Sequence, residues 1–247
     1  EETSAMIDAL LNINGMAPQD IAFFTQRDGY GDAGFVGGVT ALKRHGLKAT
    51  QHIKHVRYER NTLAVEDALA SLLLMDPSPR AIVMVGAYGP SAKFIKLATD
   101  AGLDAVFLNV SFVGSTPLAQ ELEGKEATVI VTQVVPHPLE SQDSLVEEYR
   151  RALNVFDSSI SPTFGSLEGY IAAKILFRAI RNINGEIGRE TLIDSLERMG
   201  NFDLGLGQDL HLDRRAHQAS HRVWPTIFRD GAFVSFNWKE METILSR

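Results

Sequence analysis

The chain has 247 residues, 45% hydrophobic and 22% charged, a composition typical of a folded globular protein and unlike that of a disordered chain, a collagen or a coiled coil. Its net charge of -7, with no run of basic residues, argues against a nucleic-acid partner. The absence of cysteine excludes a disulfide framework, and no apolar stretch approaches the roughly 20 residues of a transmembrane helix.

The first half of the sequence alternates between short apolar segments typical of strands and segments of helical periodicity. The predicted strands are 21–24, 49–56, 81–85, 105–110 and 128–134, and the predicted helices are 34–44, 63–74, 90–101 and a short one near Pro117. This alternation favours a parallel sheet flanked by helices, because each crossover must return the chain to the same edge of the sheet. The predicted fold class is therefore α/β.

The alternation ends after Pro136, where three amphipathic helices follow one another with no strand between them. These helices are predicted at 144–154, 165–183 and 189–199. The apolar residues of the middle helix recur at every third or fourth position: Ala172, Leu176, Ile180 and Ile183. We expect this stripe to pack against a sheet or neighbouring helices.

The last part of the chain returns to strand-like patterns. These segments are 210–212, 221–228 and 232–236. An Asp-Gly pair, Asp230 and Gly231, separates the last two segments and is the sequence typical of a tight β-hairpin.

A glycine pattern, G-x-G-x-x-G, spans residues 29–34 between a predicted strand and a predicted helix. In a dinucleotide-binding turn the strand runs almost directly into the first glycine, whereas here residues 26–28 intervene. No acidic residue closes the second strand, which reads His55-Val56-Arg57. We favour a turn whose glycines permit close packing and whose Tyr30 faces a cleft, and an NAD(P)-dependent oxidoreductase is the less favoured alternative.

Other candidate chemistry is weak in this sequence. Histidine and aspartate residues cluster near the end of the chain, at Asp209, His211, Asp213, His217 and His221. Their polar and basic neighbours indicate a solvated loop, so no metal site and no cofactor are predicted. No G-x-S-x-G turn and no suitably placed carboxylate pair is present, so no catalytic residue is predicted and the chain is not expected to be an enzyme.

Aromatic and short polar side chains follow the ends of the predicted parallel strands. They fall in the segments 26–30, 58–61, 86–88 and 109–112. Ligands of open α/β sheets bind at this carboxyl edge, and such side chains could enclose a small polar molecule. The candidate ligand-binding residues are Gln26, Tyr30, Tyr88, Ser111 and Phe112. The alternative for each aromatic residue is a role in capping the core.

Several phrases of the sequence resemble one known family in order and spacing. They are DGYGDAG at 28–34, RNT at 60–62, GAY at 86–88, NVSFVG at 109–114, VTQVVP at 131–136 and LEGYIAA at 167–173. The family is the type I periplasmic solute-binding proteins of ABC transporters, in the branch of the leucine/isoleucine/valine-binding proteins. The resemblance covers essentially the whole chain.

The resemblance implies the periplasmic-binding-protein type I, or Venus-flytrap, fold, in which two α/β lobes hold a ligand between them. On this basis residues 1–135 form the second lobe, 136–200 are helices of the first lobe, and 201–247 are closing strands of the second. The first lobe is then expected to be incomplete, because the segment carrying its sheet would precede residue 1. Uncovered helix faces are expected to favour self-association of such a fragment.

The function implied by the resemblance is that of a substrate-binding component, which delivers a small amino-acid-like or carboxylate solute to an ABC transporter permease. The expected location is the periplasm, with a leader removed. The alternative within the same fold is the extracellular ligand-sensing domain of a signalling receptor.

Three positions of this chain correspond to ligand-contacting positions of the family. Tyr30 and Tyr88 match second-lobe residues that contact ligand through ring packing and hydroxyl hydrogen bonds. Ser111 stands where amino-acid binders often place a glutamate that neutralises the ligand's ammonium. Because this carboxylate is missing, we expect a solute other than a standard α-amino acid, such as a carboxylate.

Overall fold

The fold is described by a computed structural model covering residues 1–13 and 15–245, and the chain divides into two compact units. The sheet unit comprises Glu1–Gln133 and Val223–Arg247, and the helical unit comprises Val134–Arg222. The strands are β1 (Ile21–Gln26), β2 (Lys54–Tyr58), β3 (Ala81–Val85), β4 (Val106–Asn109), β5 (Val129–Gln133), β6 (Gly200–Asp203), β7 (Asp209–Leu212), β8 (Trp224–Arg229) and β9 (Ala232–Ser235). The helices are α1 (Glu2–Leu11), α2 (Gly29–Arg44), α3 (Glu66–Leu73), α4 (Tyr88–Asp100), α5 (Ser115–Glu121), α6 (Ser144–Phe156), α7 (Phe164–Arg181), α8 (Arg189–Glu197) and α9 (Met241–Leu245).

A seven-stranded sheet in the order β2-β1-β3-β4-β5-β8-β9 forms the centre of the sheet unit. Strands β1 to β5 are parallel, and β8 and β9 extend the sheet in antiparallel pairing. Strands β3, β4 and β5 consist entirely of buried residues, as expected for parallel strands covered on both faces. The predicted α/β class with a parallel sheet flanked by helices is confirmed.

Alternate side chains along the strands pack into two separate hydrophobic cores, one on each face of the sheet. On β3, Ile82 and Met84 contact the core shared with α3, α4 and α5. Ala81, Val83 and Val85 contact the opposite core, to which α1, α2 and α9 contribute. The period-2 alternation of side chains along each strand therefore closes both faces.

The predicted hairpin lies between β8 and β9. Arg229 pairs with Ala232 across the turn, and Asp230 and Gly231 between them have φ angles of 51° and 81°. Positive φ at both central residues fits a turn of the type that matches strand twist, which is why Asp-Gly is favoured there. The hairpin prediction is confirmed.

The helical unit contains α6, α7, α8 and a two-stranded antiparallel sheet of β6 and β7. Its core is formed mainly by buried apolar side chains: Leu145, Val146, Tyr149, Leu167, Ile171, Phe202, Leu206, Leu210 and Leu212. Strands β6 and β7 pair with each other, so they cover the helices that the sequence pattern had left without strands.

Two sequence-based expectations differ from this arrangement. The compact units divide after Gln133 and before Val223, so 201–222 lies with the helices and not with the closing strands. The buried face of α7 carries Leu167, Ile171 and Ala179, whereas Leu176 of the predicted stripe is 41% exposed. The helix has apolar residues on more than one side, and periodicity alone could not tell which side is covered.

Exposed apolar side chains remain on the helices of this unit, including Val155, Phe156 and Phe177. Self-association through such faces stays a prediction. Within residues 1–13 and 15–245, no helix combines the length and hydropathy needed to cross a membrane.

Candidate functional site at the carboxyl edge of the sheet

The five parallel strands end at one edge of the sheet, and the segments that follow them carry four of the five candidate side chains. Gln26 is the last residue of β1, and Tyr88 begins α4 after β3. Ser111 and Phe112 lie in a short 3-10 helix after β4. Tyr30 lies in the first turn of α2, which follows β1. All five candidates therefore lie at the edge at which open α/β sheets bind ligands.

The glycine turn after β1 is capped by a side chain of the protein itself. Asp28 precedes α2, and its Oδ1 accepts hydrogen bonds from the backbone N–H groups of Tyr30 and Gly31, both at 3.1 Å. These bonds, that of Gly31 first, lower the pKa of the Asp28 carboxyl. A carboxylate therefore occupies the helix N-terminus at which a dinucleotide would place its pyrophosphate.

The glycines of this turn serve close packing of α2 against the sheet. A Cβ on Gly31 would lie 1.9 Å from the backbone oxygen of Gln26, and one on Gly34 would lie 2.5 Å from a methyl group of Val85. Gly29, the first glycine of the pattern, has nothing within 4 Å of its Cβ position. This arrangement fits the packing interpretation that the sequence favoured.

A chain of hydrogen bonds joins the ends of the first three parallel strands. The Tyr58 hydroxyl donates to Gln26 Oε1 at 2.9 Å, and Gln26 Nε2 donates to Asp28 Oδ2 at 2.6 Å. The Ala87 N–H donates to the Tyr58 hydroxyl at 3.2 Å. Both ends of the Gln26 amide are thus engaged by the protein, and buried Tyr58, which was not among the candidates, organises this part of the edge.

Tyr30 and Phe112 form an aromatic pair at the same edge. Their ring centroids lie 5.1 Å apart, and Phe112 is 75% exposed. The Tyr30 hydroxyl is buried and has no hydrogen-bond partner among the described residues. Burial, followed by the charge of Glu2, raises the pKa of this hydroxyl, which stays protonated at neutral pH.

A carboxylate that sequence reasoning missed lies beside Ser111. Glu2 Oε1 accepts hydrogen bonds from the backbone N–H of Ser111 and the hydroxyl of Thr132, both at 2.7 Å. Glu2 Oε2 accepts a third from the Ser111 hydroxyl at 3.1 Å. Burial raises the pKa of Glu2, and the hydrogen bonds from Ser111 and Thr132 oppose that effect.

The structure brings together Tyr30, Ser111 and Phe112, with Glu2 as a fourth member. Gln26 is connected to them through Asp28 and the first turn of α2. Tyr88 is 45% exposed, and within the described residues no hydrogen bond or ring contact joins it to the other candidates. Phe112 and Tyr88 present apolar surface to solvent in a region where polar groups also converge, as in a small-molecule site.

Several of the histidine and aspartate residues near the end of the chain make separate local contacts in the helical unit. His211 lies 2.6 Å from the side-chain oxygen of Asn201, and His217 Nε2 lies 3.2 Å from a Glu197 oxygen. Among residues 1–13 and 15–245, no three histidine, aspartate or glutamate side chains are grouped as a metal site would require.

Comparison with known protein families decides the relationship of this chain. A family model described as "Periplasmic binding protein" matches residues 2–232. The chain belongs to the periplasmic binding protein family. The resemblance inferred from the glycine turn and the strand-end phrases is thereby confirmed, as is the fold expected from it.

Solved structures place this periplasmic binding protein near solute-binding relatives. A possible leucine/isoleucine/valine-binding protein from Rhodopirellula baltica SH 1 is 44% identical, has a TM-score of 0.91, and is matched over 97% of this chain and 64% of its own. A substrate-binding periplasmic protein from Ralstonia solanacearum is 26% identical, with a TM-score of 0.78 and coverage of 95% and 65%. A leucine-binding protein from Thermotoga maritima, 18% identical over 96% and 64% of the two chains with a TM-score of 0.79, shares the fold.

This periplasmic binding protein therefore spans about two thirds of the length of the solved structures that it matches, 64% in the first case. A search of curated proteins gave no match.

Proposed function

We propose that this chain is part of a substrate-binding component of an ABC transporter, which binds a small organic solute and delivers it unchanged to a membrane permease. The solute class is an amino-acid-like molecule or a small carboxylate. Its binding place is the carboxyl edge of the seven-stranded sheet, at Gln26, Tyr30, Tyr88, Ser111 and Phe112. The protein acts in the periplasm, where such components meet their permeases.

The observation that carries this proposal is the pairing of apolar and polar groups around Tyr30 and Phe112. An aromatic ring beside polar groups is a common anchor for a ligand, because binding removes the ring from water while the polar groups orient the ligand. The neighbouring hydroxyl and carboxylate groups supply the few polar contacts that fix the orientation of a small ligand. The 44% identity to a possible leucine/isoleucine/valine-binding protein supports the same solute class.

We also propose that the sheet unit corresponds to one lobe of the family's two-lobed architecture. The helical unit, Val134–Arg222, would then belong to the other lobe, with its boundaries as the structure has them. Ligand binding stabilises a closed arrangement of such lobes through contacts that the open form lacks, and the permease distinguishes the two.

A thermal-unfolding screen with amino acids, short carboxylates and nucleotides tests the proposed function. A ligand at 100 times its Kd adds about 2.7 kcal/mol to the stability of the protein and raises Tm. We expect stabilisation by an amino acid or a short carboxylate, which is recovered chemically unchanged. Stabilisation by NAD(H) alone, or by no compound of the screen, would contradict the proposal.

Two phenylalanine variants locate the binding place in the same screen. Phe112→Ala removes the exposed ring of the aromatic pair, and we expect the ligand-induced shift in Tm to fall by about half or more, because aromatic anchors dominate binding energy. Phe177→Ala is the matched control, since Phe177 is 60% exposed on α7 in the helical unit. Equal loss of ligand stabilisation in both variants would place the solute elsewhere.

A further inference from the structure

The carboxylate of Glu2 is held at the carboxyl edge in a setting unusual for a surface acid. Three hydrogen bonds from Ser111 and Thr132 fix it, although these residues lie 109 and 130 positions away in the sequence. Its side chain projects from the first turn of α1 and is partly buried. Two separate strand ends, those of β4 and β5, thus share one carboxylate.

The charge of Glu2 is not balanced by a side chain of the described protein. Its hydrogen-bond partners are neutral hydroxyl and amide groups, and no lysine, arginine or histidine side chain of the described residues lies within 4 Å. Partly burying an anion without a cation is costly, and a cationic ligand would relieve that cost.

The Glu2 carboxylate can accept a further hydrogen bond. An ionised carboxylate offers about four lone-pair sites, and the protein uses three of them, two on Oε1 and one on Oε2. The buried Tyr30 hydroxyl, whose pKa the Glu2 charge raises, has no partner and offers an acceptor on the same side of the sheet. A ligand with several N–H donors would find an acceptor on the Glu2 carboxylate and another on the Tyr30 hydroxyl.

The aromatic pair of Tyr30 and Phe112 at the same edge of the sheet favours a cation as well. The rings of Tyr30 and Phe112 lie 5.1 Å apart, and an ammonium within about 6 Å of such a ring gains a cation–π attraction. A second carboxylate at the same place would gain neither effect and would be repelled by Glu2.

We propose that Glu2 is a specificity-determining residue, whose carboxylate receives the ammonium group of the solute at the carboxyl edge. It takes the charge role that position 111 lacks in this chain, with Ser111 acting as a positioning residue that holds the carboxylate. The solute is then a primary amine or amino acid, contrary to the expectation drawn from position 111 alone, and a simple carboxylate is excluded. This inference rests on the proposed function and narrows its solute class.

Calorimetric titration with matched pairs of compounds tests the inference on the unsubstituted protein. The pairs are L-leucine with 4-methylpentanoate, L-valine with 3-methylbutanoate and L-phenylalanine with 3-phenylpropanoate, so that only the ammonium group differs. We expect an amino acid to bind and its partner to bind roughly 10- to 100-fold more weakly, as for loss of a hydrogen bond between charged groups. Equal or tighter binding of the carboxylate would overturn the inference and leave the proposed function standing.

The Glu2→Gln variant separates recognition of charge from a structural role. It keeps an oxygen that accepts from Ser111, and it removes the negative charge. We expect the amino acid to bind roughly 10- to 100-fold more weakly, while the carboxylate partner binds as well as before or better. The ratio of the two affinities should therefore fall towards one. Equal weakening of both compounds would show a merely structural role and overturn the inference.

Glu123→Gln is the matched control, because Glu123 is exposed beyond the end of α5 and takes no part in the hydrogen bonds that hold Glu2. We expect it to leave both affinities unchanged. A collapse of the ratio in this variant also would show a non-specific charge effect and contradict the role of Glu2. Failure of every compound to bind the unsubstituted protein would contradict the proposed function itself, together with this inference.

Discussion

Asp28 shows how one side chain decides between two interpretations of the glycine turn. In a nucleotide-binding turn the first N–H groups of the helix are left for phosphate oxygens. Here the Asp28 carboxylate accepts from the N–H groups of Tyr30 and Gly31, and Arg60 lies 3.7 Å from its other oxygen. The N–H groups of the turn are therefore hydrogen-bonded within the protein. The anion at the N-terminus of α2 is the Asp28 carboxylate itself.

The Asp28 cap predicts a defined dependence of stability on pH. Its pKa is lower in the folded protein than in the unfolded chain, so its ionisation stabilises the fold above the unfolded value of about 3.9. This contribution is lost as the pH falls through the lowered folded pKa. We expect Asp28→Ala to cost about 1 kcal/mol at pH 7, and Asp28→Asn, which keeps an acceptor, to cost less.

Urea unfolding between pH 6 and pH 3 measures this effect. The difference in unfolding free energy between the unsubstituted protein and Asp28→Asn should shrink as the pH falls, since the other carboxylates titrate alike in both proteins. A difference that stays constant over this range would show that the Asp28 charge contributes nothing to the cap.

At the scale of the element, α2 is docked on the sheet through glycines that lie on one of its faces. Gly31 and Gly34 contact the strand ends, and a Cβ on Gly38 would lie 2.4 Å from the Phe23 ring. Replacing an α-hydrogen of these glycines by a methyl group would push α2 away from β1. The glycine spacing that resembles a nucleotide-binding fingerprint is thus explained by the close packing of α2 on the sheet.

Two alanine variants of the same motif test this packing. We expect Gly31→Ala to lose roughly 1–3 kcal/mol or more of stability, because its Cβ would lie 1.9 Å from the Gln26 backbone oxygen. Gly29→Ala, with open space at its Cβ, should be neutral or stabilise by up to about 1 kcal/mol. Thermal or urea unfolding measures both, and a similar loss in the two variants would contradict the packing account.

The elements differ in how far the sequence could predict them, and burial explains the difference. Strand β3 has the predicted bounds, because all five of its residues are buried and apolar. Strand β2, at the edge of the sheet, begins later than predicted: residues 50–52 form a 3-10 turn, and Lys54, His55 and Arg57 blur the apolar pattern. Helix α1 was missed, although Met6, Ile7 and Leu10 are fully buried at helical spacing.

The candidate site was predicted only where its residues follow strand ends. Tyr30, Ser111 and Phe112 could be placed at one edge, since parallel topology brings successive strand ends together. Glu2 could not, because no local pattern links the first turn of α1 to β4 and β5. Contacts between residues that distant depend on tertiary packing, which a single sequence does not reveal.

At the scale of the whole molecule, the helical unit is inserted between two neighbouring strands of the sheet unit. Gln133 at the end of β5 pairs directly with Trp224 at the start of β8. The two ends of the insertion, Val134 and Arg222, therefore leave and rejoin the sheet side by side. A short hairpin loop could join β5 to β8 directly.

This topology predicts that the sheet unit folds without the helical unit. A shortened chain with residues 134–222 replaced by a four-residue glycine-rich loop should unfold cooperatively in urea, with a smaller m value because less surface is exposed. A chain ending at residue 222 is the control: it lacks β8 and β9, leaves β5 as an uncovered edge, and should aggregate. The absence of a cooperative transition in the shortened chain would contradict the division into units.

The most direct test of the account is an amide NMR spectrum of the protein titrated with L-leucine. We predict saturable shifts concentrated in residues 26–30, 86–88 and 109–112, with the leucine recovered unaltered. Shifts confined to the helical unit, or a chemically altered solute, would contradict the claim that the carboxyl edge of this sheet holds a small solute without converting it.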